Sequence, residues 1–349
     1  MNIEQANRFK NLLSVPSKTY QEDMMIDHIV NFLTKVPKIS FETDHMGNIY
    51  VTKGTLSEGE YYPMLIAHTD TVHDIQKEIV VKDEFLSKPT TFGKSFGDDV
   101  HASFKAYTPG GLPTGIGGDD KCGIFLCLEL LMELPKVKIG LFVSEETGCH
   151  GSQQCDEDFL QDVGYAIQFD APGNHLITEV CSGVRLFEKD GEFINTIVPV
   201  FSKYMKVDPM LQSHPYTDVS QIKRKGDFSC INFSCGYYNM HSVQEFVVLD
   251  DVEKTFFMAK EVVNQLGLKK YEFEYRNPLS NSYFNLFSDM NNKVESLEDE
   301  FDTYEVDMYY MGDKLIIEND LTGEGISLSP DEIDRLLDII DKRFEDYLD

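Results

Sequence analysis

The chain has 349 residues, 42% of them hydrophobic, and carries 60 Asp and Glu against 31 Lys and Arg, for a formal charge of −29 at pH 7. That length can bury a substantial core and suits one large domain with an appendage. The negative charge excludes nucleic acid as a main partner, because phosphate contacts need clustered Lys and Arg, and disfavours anionic membranes for the same reason. The seven cysteines are scattered and odd in number, which fits reduced thiols better than a disulfide framework. Neither a signal-peptide pattern at Met1-Asn2-Ile3-Glu4-Gln5 nor an apolar run approaching the roughly 20 residues of a membrane span is evident, so a soluble cytoplasmic protein is expected.

Apolar periodicity predicts helices over Ile3 to Leu13 and Glu22 to Leu33, the second stopped by Pro37. Strands are predicted over Ile39 to Phe41 and Asn48 to Thr52, with a turn at Met46-Gly47-Asn48, and over Met64 to Ala67. Residues 78–112, rich in Gly, Lys, Thr and Ser, read as a long hairpin or loop excursion, a candidate wall or lid. A helix opens at Asp119, with a broad apolar stripe ending at Pro135. Strand Val137 to Val143, a loop with a short helix over Gly148 to Leu160, and strand Tyr165 to Phe169 follow. Helix Glu192 to Lys206, a loop-to-helix junction at Asp218 to Ile222, strand Ile231 to Ser234 and helix Leu249 to Leu266 complete the pattern. This alternation predicts an α/β fold, a mostly parallel central sheet flanked by helices, over residues 1–270.

Beyond Tyr271 the composition shifts. Residues 271–292 read as a linker, and residues 293–349 as a small acidic α+β region. Residues 271–349 hold 22 acidic against 6 basic side chains, a solvated surface rather than a recruiting tail. Strands are predicted over Val306 to Tyr310 and Lys314 to Glu318. A final helix starts from the N-cap Ser329, with Pro330 at its first position and Glu332 closing a capping box.

Five stretches carry metal-ligating side chains: His68-Thr69-Asp70, Gly118-Asp119-Asp120, Ser144-Glu145-Glu146-Thr147-Gly148, Phe169-Asp170 and His241-Ser242. Apolar strand-like runs precede four of them, and in α/β sheets ligands gather just past the carboxyl ends of strands. A two-ion site needs about one bridging carboxylate, two terminal ligands per ion and a nearby base. His68 and His241 supply terminal imidazoles, Asp119 the bridge, and Glu146 and Asp170 the other carboxylates. Glu145 is left as the base, and Asp70, two residues past His68, can hold that ring in one tautomer. Imidazole and carboxylate suit two divalent ions, zinc first and cobalt or manganese as alternatives. Tyr237 and Tyr238 are candidate oxyanion donors, with packing as the plainer reading. Asp218 is read as a helix cap or a pocket-lining group. His150, His175 and His214 compete with His241 for its role.

The same motifs resemble the co-catalytic di-zinc exopeptidases: zinc aminopeptidases, dizinc carboxypeptidases and tripeptidases. Ser14-Val15-Pro16-Ser17, Asp44-His45-Met46-Gly47-Asn48 and Ala67-His68-Thr69-Asp70-Thr71-Val72 are similar to their amino-terminal half. Gly117-Gly118-Asp119-Asp120-Lys121-Cys122-Gly123 resembles their bridging-aspartate motif, and Ser144-Glu145-Glu146-Thr147-Gly148 their base-plus-ligand pair. Gly236-Tyr237-Tyr238-Asn239-Met240-His241-Ser242, with Glu245 and the following helix, resembles their terminal histidine segment. The resemblance covers about residues 8–266. Only 70 residues lie between Asp170 and His241, which leaves no room for the dimerisation lid of many relatives and implies the lidless, aminopeptidase-like branch. It implies a metallopeptidase that hydrolyses short peptides. The alternatives are a dipeptidase, tripeptidase, carboxypeptidase or N-acyl-amino-acid amidohydrolase on the same metals, or a degenerate binding scaffold. Self-association into a homo-oligomer stays open.

Overall fold

The computed structural model describes residues 1–89 and 100–274, and the strand residues 306–311, 314–319 and 325–328. The 277–292 stretch and the helix expected after Ser329 lie outside the described residues. The chain divides into two compact units, Met1–Tyr275 and Arg276–Asp349.

The first unit begins with α1 (Ile3–Leu13), α2 (Asp23–Leu33), β1 (Ile39–Thr43), β2 (Ile49–Lys53) and β3 (Tyr62–His68). Then come β4 (Val80–Ser87), β5 (Val100–Tyr107), β6 (Pro113–Thr114), α3 (Gly118–Glu133) and β7 (Val137–Phe142). Two short helices, α4 (His150–Gln153) and α5 (Glu157–Leu160), lead into β8 (Val163–Ala171), β9 (Leu176–Cys181) and β10 (Val184–Arg185). The unit closes with α6 (Glu192–Met205), β11 (Met210–His214), α7 (Asp218–Lys225), β12 (Ser229–Ser234), β13 (Tyr237–Tyr238), β14 (Phe246–Val248) and α8 (Leu249–Leu266). In the second unit β15 (Val306–Met311), β16 (Lys314–Asn319) and β17 (Gly325–Leu328) form an antiparallel meander, with Val306 opposite Asn319 and Leu315 opposite Leu328.

The main sheet has the order β1-β2-β7-β3-β8-β12-β9-β10, with β11 paired to β9. Its centre is parallel, with β7, β3, β8 and β12 side by side, and β11 also pairs in parallel with β9. Both flanks turn antiparallel, at β2 against β7 and β9 against β12. Every residue of β3, β7, β8 and β12 is buried, as strands covered on both faces require. The short, alternating β11 and the edge strand β10 carry too little apolar signal to be read from sequence.

Helix α1 is set by a capping box: Asn2 accepts the Gln5 N–H at 2.9 Å, and the Gln5 side chain accepts the Asn2 N–H at 3.1 Å. It buries Phe9, Leu12 and Leu13, with the Phe9 ring stacked on Phe125 of α3 at 4.3 Å between centroids. Helix α3 is buried on almost every side, which is why its apolar residues spread beyond one stripe. Tyr271 is buried and its carbonyl accepts the Ser229 N–H at 2.8 Å, so the body continues past residue 270 into the stretch read as linker. No helix among the described residues is long and apolar enough to cross a membrane.

The described residues of 78–112 form no isolated lid. Strands β4 and β5 make an antiparallel ladder from Val80–Tyr107 to Ser87–Val100, and β5 pairs onward with β14, which pairs with β13. The hairpin is therefore the outer half of a second sheet, β13-β14-β5-β4, with β6 on β5. Phe104 of β5 lies opposite Val247 and is buried, with its ring 5.9 Å from that of Phe9. Phe104→Ala is expected to lower unfolding free energy by about 3–5 kcal/mol, read from denaturant midpoints, because the cavity sits where the second sheet meets the core.

Candidate metal centre

The site lies where β3, β7 and β8 end. His68 is the last residue of β3, and Asp170 is the penultimate residue of β8. Glu145 and Glu146 follow β7 after Ser144, whose φ of 55° turns the chain sharply. The Glu22 carboxylate braces this turn by accepting both the Ser144 N–H at 3.1 Å and the Ser144 hydroxyl at 3.2 Å. Residues held at positive φ without being Gly are uncommon, and Ser144, Asn239 and His241 all lie within these loops.

Asp119 sits at the entry to α3, before the regular helix begins. Asp119 and Asp120 both have non-helical backbone angles, and the peptide between them is cis. Asp120 caps the first regular turn. Asp120 Oδ1 accepts the Gly123 N–H at 2.9 Å and Oδ2 accepts the His68 N–H at 3.2 Å. A Cβ on Gly123 would meet the Asp120 carboxylate at 2.4 Å, so the cap needs glycine there. With Asp120 so engaged, the Asp119 side chain is left to face the loops.

The expected side chains converge. Asp119 Oδ1 is 3.1 Å from His68 Nε2, and Asp119 Oδ2 is 3.2 Å from His241 Nε2. Glu146 Oε2 is 3.1 Å from His241 Nε2, and Asp170 Oδ1 is 3.8 Å from His68 Nε2. One carboxylate thus lies between two imidazoles, each with a second carboxylate beside it. His241 does not come from the main sheet. It sits on the loop between β13 and β14, at φ 59°, with its side chain 43% exposed.

Asp70 is buried beneath this arrangement. Its backbone carbonyl is 3.1 Å from His68 Nδ1, and its carboxylate is 3.4 Å away. The same carboxylate accepts the N–H groups of Glu145 at 2.9 Å and Glu146 at 3.2 Å, and the Thr19 hydroxyl at 2.8 Å. It therefore orients the His68 ring and ties it to the Glu145–Glu146 loop. Burial alone would raise the Asp70 pKa, but His68 and these donors hold it below the usual range.

The electrostatics follow from packing acids together. Burial, with help from Asp170, Asp218 and Glu146 against the opposing pull of His68, pushes the Glu145 carboxyl well up. Burial likewise lifts Glu146 to about 7 and raises Asp170. Asp119 goes the other way: burial would raise it, but hydrogen bonds to His241 and His68 hold it ionised far below the carboxylate range. The same bonds, to Asp119 and then Glu146, raise His241 to about 10. His68 is also raised, its burial outweighed by Glu145, Asp119, Asp170 and Asp70.

The donors suit a divalent metal ion. Neighbouring corners of a tetrahedral zinc site with bonds of about 2.0 Å lie about 3.3 Å apart, close to the separations here. Glu146 Oε1 is buried with no hydrogen-bond partner among the described residues. His68, Asp119 and Glu146 form one group with ligand-capable atoms within 4.8 Å of each other, and His68, Asp120 and Asp170 another. In the second group Asp120 is already bonded to two backbone N–H groups, which favours Asp119 as the carboxylate available to an ion.

Three expectations need correction. The Tyr238 hydroxyl donates to Asp251 Oδ2 at 2.7 Å, in a separate buried cluster. The Tyr237 hydroxyl donates to Asp170 Oδ1 at 3.2 Å, so it braces a site carboxylate instead of standing free for an oxyanion. Asp218 makes no N-cap bond: it is fully buried, accepts the Ser152 hydroxyl at 2.5 Å, and is lifted by burial to about 7. Thr217 went unread, yet its hydroxyl donates to Asp170 Oδ2 at 2.6 Å and accepts from Gln168 at 2.6 Å. A Thr beside a candidate Asp gives no periodic signal that would have marked it.

The fold has solved counterparts. It is similar to aminopeptidase PepT from Bacillus cereus, with TM-score 0.61 and 14% identity over 76% of this chain and 99% of that one. It is similar to a tripeptidase from Staphylococcus aureus, with TM-score 0.53 and 14% identity over 74% and 96%. It is also similar to an aminopeptidase from the archaeon Desulfurococcus kamchatkensis, with TM-score 0.53 and 18% identity over 76% and 95%. At these identities the likeness is one of fold. No protein-family model matches the chain, and no curated protein sequence matches it.

In the metal-free protein the His241 ring is expected to titrate near pH 10, followed by imidazole NMR. Its folded midpoint lies above the ordinary 6.5, so this pairing stabilises the fold fully below pH 6.5 and is lost as pH rises through about 10. Asp119→Asn removes the largest cause and should bring the midpoint back toward neutrality.

Proposed function

We propose that the protein is a metal-dependent exopeptidase of the aminopeptidase kind, acting on short peptides. One observation carries the reading: the Asp119 carboxylate stands between two imidazole nitrogens, at 3.1 and 3.2 Å. His68 and Asp170 would hold one divalent ion, His241 and Glu146 the other, and Asp119 would bridge them. Zinc is the first choice, with cobalt or manganese suited to the same donors. Such a pair lowers the pKa of a water toward neutrality and polarises a carbonyl oxygen.

The chain's own groups do the rest. Glu145 takes a proton from the attacking water and passes it to the leaving amine as the peptide C–N bond breaks. Burial first of all pushes its carboxyl up, which favours its holding a proton before passing it on. Asp70 orients His68, while Tyr237 and Thr217 orient Asp170. The peptidase names of the structural counterparts support the class, and two contacts favour recognition of an amino end. Carboxypeptidase-type recognition calls for a cation to hold a carboxylate, whereas Arg185 is paired with Glu179 and Arg224 reaches the Ser182 carbonyl.

Glu145→Ala is expected to keep both ions, counted by metal analysis, while kcat falls by about 10²–10⁴-fold. A chelator should abolish hydrolysis of free-amino peptides such as Leu-Gly-Gly, and zinc, cobalt or manganese should restore it. N-acetylated versions should be poor substrates. Wild type holding less than one ion per chain and cleaving none of these peptides would sink the proposal and leave a binding scaffold.

A further inference from the structure

Three separate segments carry His68, Asp119 and His241, and one side chain on the third reaches the other two. Glu245 lies four residues past His241 and is fully buried. Its Oε1 accepts the Asp119 N–H at 3.1 Å. Its Oε2 accepts the Gly117 N–H at 2.9 Å and lies 2.7 Å from Nε2 of His73, five residues past His68. Gly118, between the two bonded N–H groups, has no room for a side chain: a Cβ would meet Tyr237 Cβ at 2.7 Å and Glu245 Oε1 at 3.2 Å. His73 is packed equally closely, since a Cβ on Gly115 would meet its ring at 2.0 Å.

We infer that Glu245 is a positioning residue that sets the separation of the two imidazoles across Asp119, and so whether both ions are held tightly. The argument is geometric. His241 sits on a loop at positive φ with its ring partly exposed, and the loop's own ladder gives it little restraint, because β13 and β14 share only two paired residues. Without a link back to the α3 entry, that loop can shift while Asp119 stays with the main sheet. Glu245 supplies the link twice, through the backbone on either side of Gly118, and His73 extends it to the segment after β3. Groups that orient metal ligands in this way alter affinity by about 10–100-fold when changed. Glu245 would touch neither substrate nor ion. The inference rests on the two-ion reading.

The test uses full-length protein stripped of metal and titrated with Co²⁺, followed by calorimetry and by the visible spectrum of the bound ion. Wild type should take up two ions. Glu245→Gln presents an amide N–H₂ where one set of donors needs an acceptor. It should bind the second ion at least 10-fold more weakly and change the cobalt spectrum, while the far-UV circular dichroism of the metal-free protein stays as in wild type. His73→Gln, which can still donate to Glu245, should keep near-wild-type binding, whereas His73→Ala should weaken it. If Glu245→Gln fails to fold, the His73 pair decides: equal affinities for His73→Ala and wild type overturn the inference. Unchanged affinity and spectrum in folded Glu245→Gln overturn it directly while leaving the two-ion reading intact. A wild type that binds no cobalt removes both.

Discussion

Carboxylates buried side by side repel one another and lose hydration, and a fold tolerates them only where positive charge and donors are built in. Here Asp119, Glu145, Glu146 and Asp170 are gathered past the carboxyl ends of the central strands, and the counter-charge is two imidazoles placed on either side of Asp119. The pairing explains why Asp119 alone among the four is driven toward ionisation while Glu145, Glu146 and Asp170 are all raised. Divalent ions would supply the same counter-charge at the same place. In that reading the protons carried by His68 and His241 in the metal-free protein are what the ions displace.

The remainder of the site is bracing for this charge pattern. Asp70 joins His68 to the Glu145–Glu146 loop through two backbone N–H groups. Asn232 brackets Asp170 from the neighbouring strand, accepting its N–H at 2.7 Å and donating to its carbonyl at 2.8 Å, while Thr217 and Tyr237 occupy its carboxylate. Glu22 secures the turn at Ser144, and Glu245 secures the turn at Gly118. Asp70, Asn232, Glu22 and Glu245 are buried acids or an amide aimed at backbone, and Thr217 and Tyr237 are hydroxyls aimed at a carboxylate; such contacts are expensive to leave unmade. The site is consequently built on strand ends and helix entries, with His241 alone on a loop of the second sheet.

Much of this was legible along the chain. The apolar runs before His68, Glu145 and Asp170 are central strands buried on both faces, and such strands announce themselves as continuous hydrophobic segments. The entry to α3 was legible because Asp119 and Asp120 precede a wide apolar stripe, although which aspartate caps the helix was not. Residues 78–112 were read as a hairpin or a lid. Strands β4 and β5 pair antiparallel, but the partnership of β5 with β14 was hidden, because cross-strand pairing between segments 141 to 145 residues apart leaves no local mark. Tyr237 and Tyr238 are neighbours in sequence and opposite in fate, one facing Asp170 and the other Asp251. Successive side chains of a strand point to opposite faces, so adjacency to His241 could not assign both to one site.

What the sequence by itself determined is chemical type and order: which stretches are strands or helices, and which ends carry imidazole and carboxylate. These depend on side-chain periodicity and on turn residues within a few positions of each other, which are short-range properties. Tertiary structure alone decided that Asp119 falls between His68 and His241, that Asp120 caps α3, and that Glu245 reaches back across the loops. Those outcomes depend on the order in which distant strands pair and on which buried acid finds which backbone donor. Both are settled only when the sheet assembles and water is excluded.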